Sequence, residues 1–189
     1  VAANGLIEIR WHGRGGQGAV TSAELVAQAA ISEGKYAQAF PSFGPERRGA
    51  PVLAFVRVDS RAPIRVRAEI TNPDVVVVLD PGLLSIVNVL SGLKDDGLLV
   101  INTKKSFKEI ATNFKTKCRM AKVNATAIAR EVLGVPITNT TMVGALIKAT
   151  GVVGLESVVE PLNNRFGRIA ERNINAMKKA YEDTEVKEL

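Results

Sequence analysis

The sequence predicts a three-layer, Rossmann-like α/β domain with a mostly parallel sheet, some antiparallel strand pairing and a helical C-terminal end. Three observations carry that expectation. An alternating, β-prone stretch from Leu6 to Trp11 runs through a glycine-rich turn into a segment with apolar residues at helical spacing. The unbroken apolar run Val75 to Leu79 has the character of a strand covered on both faces. From Thr140 to about Glu182 the spacing is helical, punctuated by Gly151, Gly154 and Pro161.

Taken in order, Leu6 to Trp11 is a strand and Ala19 to Ser32 a helix, with Ala23, Val26, Ala27 and Ala30 on its apolar face. Gly34 stops the helix, and Tyr36 to Phe40 is a second strand that completes a βαβ unit. Pro41 to Gly49 is dense in turn formers. Val52 to Val58 alternates and is expected to pair in an antiparallel or edge-like way, and Ile64 to Ile70 reads as a further short strand. Asp80, before Pro81 and Gly82, is placed to cap a helix reaching about Leu90. Gly97 to Asn102 and Met120 to Val123 are strands, Phe107 to Phe114 is ambiguous, and Ala125 to Leu133 is a helix. Asn139 to Thr141 read as capping side chains at a helix start, and Lys178 to Glu188 as a solvated helix end.

The 189 residues, 46% of them hydrophobic, suffice for one well-buried core, so residues 1–189 are read as a single domain. No segment approaches the roughly 20 apolar residues of a membrane span, and no secretory signal is visible, which makes the cytoplasm the expected location. The single cysteine, Cys118, fits a reducing compartment and reads as a small buried apolar residue. An excess of 25 Lys and Arg over 19 Asp and Glu suits phosphate ligands or acidic partners. Aromatics are only 5% and the basic clusters are short and scattered, so nucleic acid is not the expected partner.

Gly13, Arg14, Gly15, Gly16, Gln17 and Gly18 contain the spacing G-x-G-x-x-G between a strand and a helix. Glycines permit a tight turn and let backbone amides approach an anion, to which the helix start adds partial positive charge. The same glycines would equally serve a tight turn alone. A dinucleotide site wants an acid about 20 residues further on, at the end of the second strand. That strand ends Gln38-Ala39-Phe40, and Glu33 falls at the helix end as a surface charge, which weighs against NAD. Arg14, Arg47 and Arg48 supply guanidinium groups suited to phosphate, although adjacent loop arginines also serve solvent or an acidic surface. His12 has no second histidine with which to bind a metal and reads as a strand-end residue.

The segments Ile7 to Thr21 and Gln38 to Val52, with Asn139 to Ala145 and the last helices, resemble the gamma subunit of pyruvate:ferredoxin oxidoreductase and related 2-oxoacid:ferredoxin oxidoreductases. The resemblance implies a non-autonomous subunit of an enzyme that converts a 2-oxoacid and coenzyme A to acyl-CoA and carbon dioxide, with electrons passing to ferredoxin. It implies thiamine diphosphate and iron–sulfur clusters on alpha, beta and delta type partner subunits. One cysteine cannot ligate a four-iron cluster, and no Gly-Asp-Gly start of a thiamine diphosphate motif is present. The role expected of this chain is docking, with Gly13 to Gly18, Arg47 and Arg48 contacting the phosphates of coenzyme A. In a competing reading, Phe40 to Gly49 is an interface loop that wedges against a partner. Two readings from other classes are an NAD(P)-binding reductase and a basic binding module with steeply salt-dependent association.

Overall fold

The computed structural model describes residues 5–42, 49–114 and 118–187. Its elements are β1 (Leu6–Arg14), α1 (Ala19–Ser32), β2 (Tyr36–Pro41), β3 (Pro51–Asp59), β4 (Val75–Val78), β5 (Leu98–Asn102), α2 (Phe107–Phe114), β6 (Arg119–Val123), α3 (Ala125–Leu133), α4 (Asn139–Thr150), α5 (Val159–Phe166), α6 (Ala170–Asp183) and β7 (Glu185–Lys187). One sheet has the order β2-β3-β1-β4-β5-β6-β7. β1, β4, β5 and β6 are mutually parallel, β2 shares their direction because it is antiparallel to the reversed β3, and β7 also runs backward.

The run Val75 to Val78 is buried at every position, as a strand covered on both faces requires. Val75 and Val77 face a core shared with α1, α4 and α6, whereas Val76 and Val78 face a second core with Leu83, Ile101 and Ile110. The two cores lie between the central sheet and the layers that cover its two faces. Gly144 lets α4 cross α6 closely: a Cβ there would stand 2.0 Å from the Met177 carbonyl oxygen.

Several sequence expectations are corrected. The βαβ unit is split, since β3 lies between β1 and β2 and pairs with both, so β3 is interior and β2 is the edge. Ile64 to Ile70 forms no strand, its carbonyls being taken by side chains instead. Asp80 does cap, accepting from the Gly82 amide at 2.7 Å, but the helix it opens is a 3-10 turn of five residues, Pro81–Ser85. Phe107 to Phe114 is helical, begun by a reciprocal pair in which Ser106 and Glu109 bond each other. Thr138, not Asn139, is the N-cap of α4 and makes no capping side-chain bond; Asn139, Thr140 and Thr141 are buried instead. Pro161 sits in the first turn of α5, where a missing amide hydrogen costs nothing. The charged tail leaves its helix at Asp183 and pairs with β6 as β7. Glu33 is tied to Lys35 and to the Gly154 amide.

Candidate functional site

Alternation along β1 puts Arg10, His12 and Arg14 on one face of the sheet and Ile9, Trp11 and Gly13 on the other, where Ile9 and Trp11 join the larger core. β1 therefore carries these three side chains, and Glu8 before them, in register toward the same side. The strand extends through Gly13 and Arg14, so the turn proper is Gly15 to Gly18.

Two of its glycines have conformational reasons. Gly16 and Gly18 hold φ of 91° and 79°, in the left-handed region. At Gly18 a Cβ would also meet the Asn139 Nδ2 at 2.6 Å, so the start of α4 approaches the start of α1 only because no side chain intervenes. Gly13 has tight surroundings, with Leu79 and Ala19 3.2 and 3.3 Å from a Cβ placed there.

The turn is latched by a carboxylate. Arg14 Nε donates to Asp80 Oδ2 at 2.8 Å, and Gln17 Nε2 donates to the same oxygen at 3.0 Å. Gln17 Oε1 accepts from the Arg14 amide at 2.8 Å, which closes the turn on itself. Burial would raise the Asp80 carboxyl, but the Gly82 amide, Gln17 and Arg14 outweigh it and hold the group below the usual carboxylate range. Arg14 ends β1 and Asp80 follows β4. Because α1 covers one face and the 3-10 turn and α2 cover the other, the ion pair spans the point where the connections change sides.

The second arginine-bearing segment is anchored beside the first. Gly15 N donates to the Ala50 carbonyl at 2.9 Å, Gly49 N to the Gly15 carbonyl at 3.1 Å, and Arg14 Nη1 to the Gly49 carbonyl at 3.1 Å. The structure thus brings Gly13 to Gly18 together with the flank of the segment that contains Arg47 and Arg48, which themselves lie outside the described residues, as does Phe43. The amides of Gly15 and Gln17 are engaged within the turn and its flank, while the first turn of α1 has no capping side chain and no acid.

Below this rim is a cleft of about 540 Å³ whose floor carries Arg10 and His12 and whose walls include Val20, Val52, Leu53 and Leu83. Arg10 is 6% exposed and bonds His12 Nε2 at 3.0 Å, Val89 O at 3.1 Å and Ser91 O at 2.6 Å, with a longer bond to Ile70 O. All four acceptors are neutral. Among the described residues this buried guanidinium has no carboxylate partner, so its charge is offset by dipoles alone. His12 accepts from Arg10, and burial together with that positive neighbour depresses its pKa to about 3. Sequence reasoning placed His12 near a strand end and passed over Arg10; the signal that could have found it was the i, i+2, i+4 spacing of Arg10, His12 and Arg14.

Among the described residues no group of three or more His, Cys, Asp or Glu could hold a metal ion, and Cys118 is buried at the edge of the second core. These residues offer no ligand set to an iron–sulfur cluster. Nor do they place an acid where a ribose would bind: β3 occupies the lane beside β1, and Glu33 sits at the far end of α1. No helix among the described residues is long and apolar enough to cross a membrane.

The family model for pyruvate ferredoxin/flavodoxin oxidoreductase matches residues 8–183. The chain belongs to that family. It is 56% identical over 186 residues to the pyruvate/ketoisovalerate oxidoreductases common subunit gamma of Pyrococcus furiosus, covering 97% of this chain and all of the relative. It is 51% identical over 181 residues to the pyruvate synthase subunit PorC of Methanothermobacter thermautotrophicus, covering 95% and 97% of the two chains. The crystal structure of the pyruvate oxidoreductase subunit PORC from Thermotoga maritima superposes with a TM-score of 0.86 at 38% identity, covering 97% and 99% of the two chains. Within the pyruvate ferredoxin/flavodoxin oxidoreductase family, the chain is therefore of the gamma-subunit type, one piece of a larger oxidoreductase and not an autonomous enzyme.

Proposed function

We propose that this chain is the gamma subunit of a cytoplasmic complex that converts pyruvate, coenzyme A and oxidised ferredoxin to acetyl-CoA, carbon dioxide and reduced ferredoxin. Its companions are alpha, beta and delta type subunits, which carry the thiamine diphosphate and the iron–sulfur clusters. The observation that carries this reading is end-to-end similarity to the Pyrococcus furiosus chain, a gamma subunit common to pyruvate and ketoisovalerate oxidoreductases. A subunit shared between two oxidoreductases does not by itself choose the 2-oxoacid, and the same division of labour is proposed here. Substrate choice rests with the chains that hold the thiamine cofactor.

Two roles remain for this chain. One is docking against the other subunits. The other is contact with coenzyme A through Gly13, Arg14, Gly15, Gly16, Gln17 and Gly18 and through Arg47 and Arg48. The coenzyme A role is supported by the uncapped start of α1, by the hydrogen bonds that hold Gly49 and Ala50 against Gly15, and by an apolar cleft floored by a cation that has no carboxylate partner among the described residues. Anionic phosphates suit the helix start, and a cofactor's uncharged arm suits the cleft walls. The latch sets a limit on this reading. Arg14 is already paired with Asp80, so Arg47 and Arg48 carry more of the proposed phosphate recognition than Arg14 does.

The test is replacement of Arg47 and of Arg48, singly, by Gln in the reconstituted complex. The expected result is a KM for coenzyme A raised several-fold with pyruvate affinity retained. An unchanged KM with assembly intact overturns the phosphate role for both residues. Purification of the native chain with its neighbours tests the larger reading, which fails if no co-eluting polypeptide carries thiamine diphosphate and iron.

A further inference from the structure

After β3 the chain makes a tight turn in which the Asp59 carboxylate accepts from the amides of Arg61 and Ala62. It then crosses the sheet as a strap, residues 61–69, that is neither helix nor strand. Four carbonyls at alternate positions point to the protein. Ile64 O accepts from Gln38 at 2.8 Å, Val66 O and Ala68 O accept from Arg57 at 3.2 and 2.8 Å, and Ile70 O accepts from Arg10. The chain bends at Ala68 but not over 63–67, and because the peptides are trans the amide of each following residue points opposite to these carbonyls. Arg65 and Arg67 therefore turn their N–H groups outward, and among the described residues these amides make no backbone hydrogen bond.

Among the described residues those two amides lack a backbone partner, as on the open edge of a strand. The strap is also strongly basic. Arg61, Arg65 and Arg67 are exposed and in no ion pair among the described residues, and the one acid, Glu69, accepts from Ser42. Val66, between the two outer arginines, is 60% exposed. A second copy of the chain would bring like charges together, which disfavours self-pairing.

We infer that the strap is a docking edge for an extended, acidic segment of another subunit of the complex, which adds a strand to it and sets carboxylates at alternate positions against Arg65 and Arg67. This inference rests on the subunit reading above. Charge complementarity selects the partner, and the outward amides of residues 65 and 67 supply main-chain recognition.

The experiment measures binding of the purified chain to the remainder of the complex by interferometry at several salt concentrations, with three proteins: wild type, the double variant Arg65→Glu with Arg67→Glu, and Arg65→Pro, which deletes one outward amide hydrogen. The proposal expects the charge reversal to weaken binding at least tenfold, the wild-type affinity to fall as salt rises, and Arg65→Pro to weaken binding several-fold with the charge at Arg67 intact. All three must retain the wild-type circular dichroism. Wild-type affinity in the folded double variant overturns the proposal, and wild-type affinity in Arg65→Pro overturns its strand-pairing half. Failure of the wild-type chain to bind any other subunit, or binding only to anionic vesicles or oligonucleotides, overturns the subunit reading instead.

Discussion

Arg14 Nε and Asp80 Oδ2 stand 2.8 Å apart, joining the end of β1 to the start of the 3-10 turn after β4 across the mouth of the sheet. Asp80 also accepts from Gln17 and from the Gly82 amide, so one carboxylate organises both sides of the switch point. Asp80→Asn keeps the shape but loses the charge and turns one acceptor into a donor facing donors. The expected cost is about 1 to 2 kcal/mol of unfolding free energy, read by urea denaturation. A variant as stable as the wild type would show the latch to be ornamental.

His12 gives the protein an acid sensitivity with a definite sign. Its folded-state pKa of about 3 lies below the 6.5 of an ordinary imidazole, so the unfolded chain binds the extra proton between these values. Stability from this group is complete above pH 6.5 and is lost as pH falls toward 3, by an amount on the order of 5 kcal/mol. His12→Gln preserves an acceptor for Arg10 and removes the titration. Its unfolding free energy is expected to change less between pH 7 and pH 5 than that of the wild type, and an equal change would assign the sensitivity to other groups.

Gly144→Ala tests the crossing of α4 over α6. The added methyl carbon meets a backbone carbonyl oxygen at 2.0 Å, and a backbone atom cannot swing aside as a side chain can. Separation of the helices is expected, at a cost of about 3 kcal/mol or more, visible as a lowered melting temperature.

Arg57 ties Glu8 to the strap, with Nε 2.8 Å from the Glu8 carboxylate and Nη1 on two strap carbonyls. Arg57→Met retains much of the buried stem and removes every one of these bonds. A loss of about 2 to 4 kcal/mol in global stability, read by urea denaturation, is the expected outcome. Wild-type stability would contradict it.

The parts of the fold that were legible were those encoded locally. Val75 to Val78 announced a buried strand through β-branching alone, Ala125 to Leu133 a helix through apolar spacing, and Asp80-Pro81-Gly82 a cap. What escaped depended on distant partners. Val52 to Val58 alternates in the same way whether it lies at an edge or inside the sheet, and only its pairing with both β1 and β2 decides. Ile64 to Ile70 has strand-like composition, yet Arg57 and Gln38 take the carbonyls that a ladder would use. In the candidate site, the glycine spacing and Arg14 were readable, but Asp80 lies 66 residues from Arg14, and no local pattern pairs them. The burial of Arg10 was hidden for the same reason, since its acceptors come from carbonyls at residues 70, 89 and 91.

The reversed strand β3 has one more effect. β2 ends at the rim and β3 begins there and leads away from it, so Ala50, just before β3, lies beside Gly15 and is bonded to it. The two stretches of sequence are hinged like the jaws of a clasp, with the hairpin as the arm. An inserted residue in that arm would shift every side chain of β3 to the opposite surface, and spacing between the jaws is consequently far less free to drift than their individual letters.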